Sequence, residues 1–360
     1  MSLKIKIFDK IDDDQLKLAW TNIQKDSKIF PQMYYEWIQP WSISKLENEK
    51  LHIISVTKKN NIVGIAPFII INKSGLKILK TIPIHFGDFY SMIIDQNLKS
   101  YIIPIIIDYI KNSTKWDLVH FFNVNNNSDL FKRLELDSNF KLKHIIDIHE
   151  ANFQSMNFKE YLLTLSRNTR SQYKKRCNRL LKEGEIQFEC IDDSKGYMEH
   201  FENMKSLYNK RWKDDYLPLL DDKYYDMRNT AINPIFIHQK AVLYRLGVND
   251  KAIAYRLGFY HNRTFYDWKV VHDTSYNYYS PANILVGKII EDLIDKKYYK
   301  FNFMTGDYRY KKSWSSEYKS KNYEIFYAKK SIIGRLYITY RLYWRNKIKK
   351  AYHKVRKIVK

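Results

Sequence analysis

A chain of 360 residues, 45% of them hydrophobic, can bury the cores of about two domains, which excludes a disordered or fibrous protein. The net charge of +23 calls for anionic partners: nucleotide phosphates, nucleic acid or an acidic membrane face. Two cysteines, Cys177 and Cys190, make neither a disulfide framework nor a cysteine-rich metal site, so no metal and a reducing, cytoplasmic setting are expected.

Residues 1–15 lack a signal-peptide core. The longest apolar run, 101–110, carries Pro104 and Asp108 and is too short to span a bilayer. Residues 12–29 read as a helix entered through an acidic turn, and 30–41 as an aromatic, irregular stretch. Strands are expected at 51–56 and 62–71, with Lys58-Lys59-Asn60-Asn61 as the hairpin turn between them. A strand at 76–82, a loop holding His85 and Asp88, a helix over 98–112 and a strand at 116–124 complete a first set.

The order then repeats. Strands are expected at 241–248, 251–260 and 263–271, then a helix over 283–295 and a strand at 300–304. The displacement is about 190 residues, which reads as an internal duplication. Each set is a hairpin meander followed by a helix and a strand. That is an α+β (mixed α/β) layer and not an alternating Rossmann pattern, and no glycine-rich phosphate motif is present.

Between the sets, Ser166-Arg167-Asn168-Thr169-Arg170 leads into a basic helix that stops at Gly184. A further helix, 197–212, ends in Arg211-Trp212. After the second set, 329–360 holds twelve Lys or Arg and no acid, with apolar residues from Ile332 to Val359 at helical spacing. An amphipathic cationic helix of this kind suits an anionic membrane surface, with RNA as the rival partner.

The stretch 279–314 organises the chain. Ser280-Pro281-Ala282-Asn283 opens a helix, because proline lacks an N–H that the first turn has no use for. After the helix comes a short strand, then a polar loop carrying Gly306, Asp307, Tyr310 and Lys311. A strand end beside a helix start is where open α/β sheets hold ligands.

In this order, Arg167-Asn168-Thr169-Arg170 with its basic helix, Arg211-Trp212, YSPANIL at 279–285 and GDYRYKKSW at 306–314 resemble the CelD-like acyltransferases. These are GNAT-type acyl-CoA transferases related to the Fem-type aminoacyl transferases. The resemblance covers about 62–314. It implies two GNAT-like units in tandem, packed side by side: 1–150 a degenerate unit, 151–328 the acyltransferase unit, and 329–360 a basic helix. It also implies acetyl-CoA or another acyl-CoA as co-substrate and an amine acceptor, an amino sugar or nucleotide sugar of surface polysaccharide. Ala282 stands where members often have glycine, which narrows the approach to a phosphate.

Acyl transfer to an amine needs a base, donors for the developing oxyanion, a proton for the leaving thiolate, and amides for the pyrophosphate. The expected cofactor-binding residues are Tyr279, Ser280, Ala282, Asn283 and Ile284. The expected catalytic residues are Asp307 and His272 as bases, Tyr310 as proton donor and Lys311 as an anion contact. Arg167, Arg170 and Lys174 are expected to bind an anionic substrate, Trp268 to lie by the oxyanion donors, and Asp88 with His85 to line a groove between the domains. Asp267, on an otherwise apolar strand, needs a partner that the sequence does not name. An aminoacyl-tRNA-dependent transferase and a non-catalytic membrane-associated binding protein stand as alternatives, and oligomeric state is left open.

Overall fold

The computed structural model describes residues 2–25, 28–43, 49–73, 75–82, 88–212, 222–315, 319–328 and 331–344. The chain divides into two compact units, Met1–Ile29 with Trp41–Ile145 and Lys321–Lys360, and Phe30–Pro40 with Ile146–Ser320.

In the first unit β1 (Leu3–Phe8), β2 (Glu49–Lys58), β3 (Asn61–Lys73) and β4 (Leu76–Thr81) form an antiparallel meander. β5 (Ile93–Ile94) adds a short pair to β3, and β6 (Leu118–Asn125) runs parallel to β4. In the second unit, β7 (Lys141–Asn152) supplies residues from 146 onward. β8 (Ile186–Ile191), β9 (Ala241–Val248), β10 (Lys251–His261) and β11 (Thr264–His272) make the second meander. β12 (Lys300–Asn302) is parallel to β11 and antiparallel to β7. β13 (Lys319–Ala328) pairs antiparallel with β6. The orders β1-β2-β3-β4-β6-β13 and β8-β9-β10-β11-β12-β7 are therefore the same order written twice. This is the expected mixed α/β arrangement of two duplicated units. In each, the closing strand is the one that follows the other set of strands in sequence: β7 follows β6 and pairs with β12, and β13 follows β12 and pairs with β6.

Turn chemistry repeats as well. Lys59 and Asn60, Asn249 and Asp250, and Asn262 and Arg263 all have positive φ. Paired positive φ marks the two-residue turns whose twist matches that of the flanking strands.

The helices are α1 (Asp14–Ile23), α2 (Tyr35–Ile43), α3 (Lys99–Asn112), α4 (Asp129–Glu135), α5 (Phe158–Thr164) and α6 (Arg167–Leu180), followed by α7 (Ser194–Trp212), α8 (Asp222–Ile237), α9 (Pro281–Asp295), α10 (Arg309–Trp314) and α11 (Ile332–Thr339). α3 and α9 are counterparts. α3 buries Ile102, Ile103, Ile106, Ile107 and Ile110; α9 buries Ile284, Leu285, Ile289, Ile290 and Leu293. Each such side chain contributes about 1.5–3 kcal/mol. α9 lies in one cluster with Phe265, Phe301 and Phe303, and Tyr173 of α6 packs against it. A Cβ at Gly287 would lie 2.4 Å from the Tyr173 ring, so glycine lets α6 and α9 approach closely.

Several expectations need correction. The stretch 30–41 is not irregular: it is a 3-10 turn, Pro31–Met33, followed by α2. Its aromatics cover the second unit's sheet, with Phe30 4.8 Å from Tyr266 and Trp37 5.0 Å from Trp268 between ring centroids. Tyr310 and Lys311 sit on α10, not in a loop. Residues 30–40 belong to the second unit and 321–328 to the first, because α2 packs on β10 and β11 while β13 pairs with β6. His85 and the tail beyond 344 lie outside the described residues, as do the side chains of Arg211 and Trp212.

Candidate active site

The site begins where β12 stops. β11 pairs with β12 only from Thr264 to Tyr266, then runs on to His272 while β12 ends at Asn302. At the same point its register with β10 shifts: Leu257 faces Lys269 and Gly258 faces Asp267, leaving Trp268 as an extra, bulged residue. A bulge increases twist and re-aims the strand. Gly258 is required there, since a Cβ would lie 2.3 Å from the Tyr266 carbonyl oxygen. The result is a fork between β11 and the chain leaving β12.

Beyond β11, Asp273 caps a 3-10 turn, Thr274–Tyr279, through Ser275 N–H at 3.0 Å. Burial opposes its ionisation, but Ser275 and Lys251 (2.9 Å away) prevail and lower its pKa to about 2. Ser280 then takes a left-handed conformation, φ 52° and ψ 58°, and α9 starts at Pro281. Asn283 and Ile284 donate their N–H groups to Ser280 O at 2.9 and 3.2 Å. Pro281 has none, so among the described residues the Ala282 N–H is the one at this helix start without an acceptor. Ile284 is buried, and Tyr279 donates its hydroxyl to Glu183 at 2.6 Å.

Arg256 of β10 and Asp267 of β11 lie at the base of the fork, 1% and 5% exposed. Arg256 is ion-paired with Asp267 Oδ2. It also donates from Nε and Nη2 to the Ala282 carbonyl at 3.3 and 3.1 Å, and lies 5.3 Å from the centre of the Tyr310 ring. One guanidinium thus ties the first turn of α9 to β11 and α10. Among the described residues Asp267 Oδ1 has no hydrogen-bond partner. Burial raises the Asp267 pKa against the pull of Arg256 and Lys311. Burial also raises that of Tyr310, against Arg256, so its hydroxyl keeps its proton.

The structure distributes the remaining expected residues unevenly. Lys311 is buried and donates to Phe303 O and Thr305 O, both at 2.6 Å, so it holds the chain leaving β12 and does not meet solvent anions. Asp307 is exposed and paired with Lys312 at 2.7 Å. His272 Nε2 is 2.8 Å from Asn277 Oδ1, next to the 3-10 turn. Trp268 points to the α2 side of the sheet, opposite Asp267. Arg170 is half-buried and donates to the Leu163 and Leu165 carbonyls at the end of α5. Arg167 is exposed at the start of α6. Asp88 belongs to the first unit, where its carbonyl accepts from Asn322 at 2.7 Å.

Lys174 fares differently. With Ser171, Lys175, Asn178, Arg179 and Lys182 it lines a shallow depression of about 330 Å³ on α6. Arg179 lies 4.8 Å from the Tyr278 ring centre, which sets this cationic face beside the turn entering α9. Among the described residues no carboxylate lines it.

Arg256 is the residue that sequence reasoning missed. Its signal was available: a lone arginine in the apolar run of β10, and a lone acid, Asp267, in the adjoining strand.

Residues 167–312 match the acetyltransferase (GNAT) domain. The match spans the fork, the α9 start and the basic helix. Among solved structures the fold is similar to FemX, with a TM-score of 0.60 at 11% identity over 89% of this chain and 98% of that one. It is also similar to the C-terminal domain of a putative lysylphosphatidylglycerol synthetase from Agrobacterium fabrum (TM-score 0.56, 8% identity, 90% and 95% covered). A third is a conserved protein of unknown function from Bacteroides thetaiotaomicron (TM-score 0.55, 15% identity, 90% and 100% covered). At these identities the likeness concerns the fold. Comparison with curated proteins finds no match.

Proposed function

We propose that the second unit is a GNAT-type acyltransferase moving an acyl group from acetyl-CoA, or another acyl-CoA, to an amine. The observation that carries this reading is the fork itself: Asp267, with an unpartnered oxygen, at its base, beside a helix start flanked by cations. The residues present suit a phosphate-bearing donor. Ala282 N–H and the Lys174, Lys175, Arg179 and Lys182 face would hold its phosphates.

Asp267 Oδ1 takes the proton as the acceptor nitrogen attacks the thioester carbonyl. The C–N bond forms, the C–S bond breaks, Tyr310 gives its proton to the sulfur, and the proton held by Asp267 then restores the Tyr310 hydroxyl. Arg256 keeps both groups in place. Asp267 replaces Asp307 as the proposed base, because Asp307 is exposed and paired with Lys312. The acceptor class, an amino sugar or nucleotide sugar for surface polysaccharide, rests on the resemblance alone. The first unit is proposed as a non-catalytic copy.

Incubation with acetyl-CoA and a panel of amino sugars, reading free thiol, tests the proposal. Thiol release that Asp267→Asn abolishes supports it; absence of release with every donor, and of a thermal shift with CoA, removes it.

One observation favours a second donor. The helix start offers a single uncommitted amide, whereas α6 offers a long cationic face. An aminoacyl-tRNA donor would use that face through its phosphates, and salt-sensitive tRNA binding without CoA binding would select it.

A further inference from the structure

Among the described residues, α11 and the single turn of π-helix after it, Tyr340–Trp344, rest on the first unit through one face. Facing inward, Ile338, Tyr337 and Leu342 pack with Leu76, Ile78, Leu118 and Phe326. Gly334 allows the close approach, since a Cβ there would lie 3.1 Å from the Asp117 carbonyl oxygen. Arg341 is ion-paired with the buried Glu324 of β13, and Lys143 donates to the Arg341 carbonyl at 2.7 Å. The helix is therefore anchored in a fixed rotation.

That rotation turns Ile332, Ile333, Leu336, Tyr340, Tyr343 and Trp344 outward, 42–73% exposed. Their spacing puts them on one side of the helix. A contiguous apolar patch of this kind marks an interaction surface. Over 329–360 the sequence carries twelve Lys or Arg and no Asp or Glu. No helix among the described residues is long and apolar enough to cross a membrane.

We infer that this face lies on the surface of an anionic lipid bilayer. Aliphatic residues enter the acyl boundary, Tyr343 and Trp344 sit at the headgroup level, the exposed Arg335 meets lipid phosphates, and the positive charge of the 329–360 sequence adds attraction to the anionic surface. The composition selects this partner over two others. Ile332, Ile333 and Leu336 offer nothing to a nucleic acid, which takes stacking rings and cations. A second copy would bring like charges together. The inference does not depend on the acyl-transfer reading.

The test uses the full chain and co-sedimentation with phosphatidylglycerol–phosphatidylcholine vesicles, against phosphatidylcholine alone. Retention on anionic vesicles is expected to exceed that on neutral ones by about tenfold and to fall steeply between about 0.1 and 0.5 M salt. The double variant Leu336→Ser, Tyr343→Ser, both exposed positions, is expected to lose about tenfold in retention at an unchanged melting temperature. Equal retention on both vesicle types, no retention, or retention untouched by the double variant overturns the inference. So does RNA binding in place of vesicle binding, or a dimer that the double variant dissolves.

Discussion

The two units share an order of strands and part at one joint. In the second, β11 outlasts β12 and bulges at Trp268, so a fork opens. In the first, β4 ends at Thr81, one residue past its last pair with β6, and its register with β3 is unbroken from Phe68↔Thr81 to Lys73↔Leu76. The third parallel pair is Tyr266↔Asn302 in one unit and Lys80↔His120 in the other. Each faces a glutamate on the closing strand. Asn302 donates to Glu150 at 2.6 Å, while His120 lies 3.5 Å from Glu324. Glu324 is claimed by Arg341 as well, whereas Asp267 keeps one oxygen unclaimed. The frame is common to both; the chemistry follows from which strand outlasts its neighbour and which carboxylate is left with capacity.

The comparison can be broken most directly at the carboxylates. Asp267→Asn keeps shape and volume, and is expected to lower the acyl-transfer rate by about 10²–10⁴-fold. Glu324→Gln in the first unit is expected to leave kcat unchanged in the folded fraction. Equal losses from the two would erase the distinction between the units.

Arg256→Met strands Asp267 as a buried, unpaired charge and frees the Ala282 carbonyl. A loss of about 3–5 kcal/mol is expected, measured by urea unfolding, and Asp267→Asn in the same chain should recover part of it.

Acid sharpens the view of the first unit. Burial lowers the pKa of His120 from 6.5 to about 4, with Glu324 pulling it up and Lys80 and Arg341 pushing it down. The unfolded chain takes this proton first as pH falls. The stability is complete above about 6.5 and is lost toward pH 4, by about 3 kcal/mol from this group. His52 and His261 are lowered to about 4 as well, so the check is the difference in slope between wild type and His120→Gln.

Lys311→Met leaves the Phe303 and Thr305 carbonyls without their donor, and is expected to cost about 1–3 kcal/mol. The smallest effect belongs to Asp307→Asn, an exposed group whose loss should change kcat by less than about twofold. A large loss there would return the base to Asp307.

Much of this was legible in the residues. The duplication was visible because hairpin turns and strand alternation are local properties, and Asn60, Asn249 and Asp250 announce positive φ by their chemistry. The α9 start was visible because Pro281 can only begin a helix there. α2 was missed because Pro40 lies inside it, where a proline ordinarily ends a helix. α10 was read as loop because a helix of six residues has almost no periodicity to show. Lys311 and Asp307 look alike in sequence, as charged neighbours of Gly306. Only the turn after β12 decides that one is buried among carbonyls and the other stands in solvent.

By itself the sequence determined the strand–helix grammar, its repetition and the excess of positive charge, since each depends on residues a few positions apart. The tertiary structure alone decided the Arg256–Asp267 pair, the fork and the exchange of closing strands β7 and β13. Those depend on groups remote in the chain being desolvated together, and desolvation is a property of the packed molecule, not of any segment.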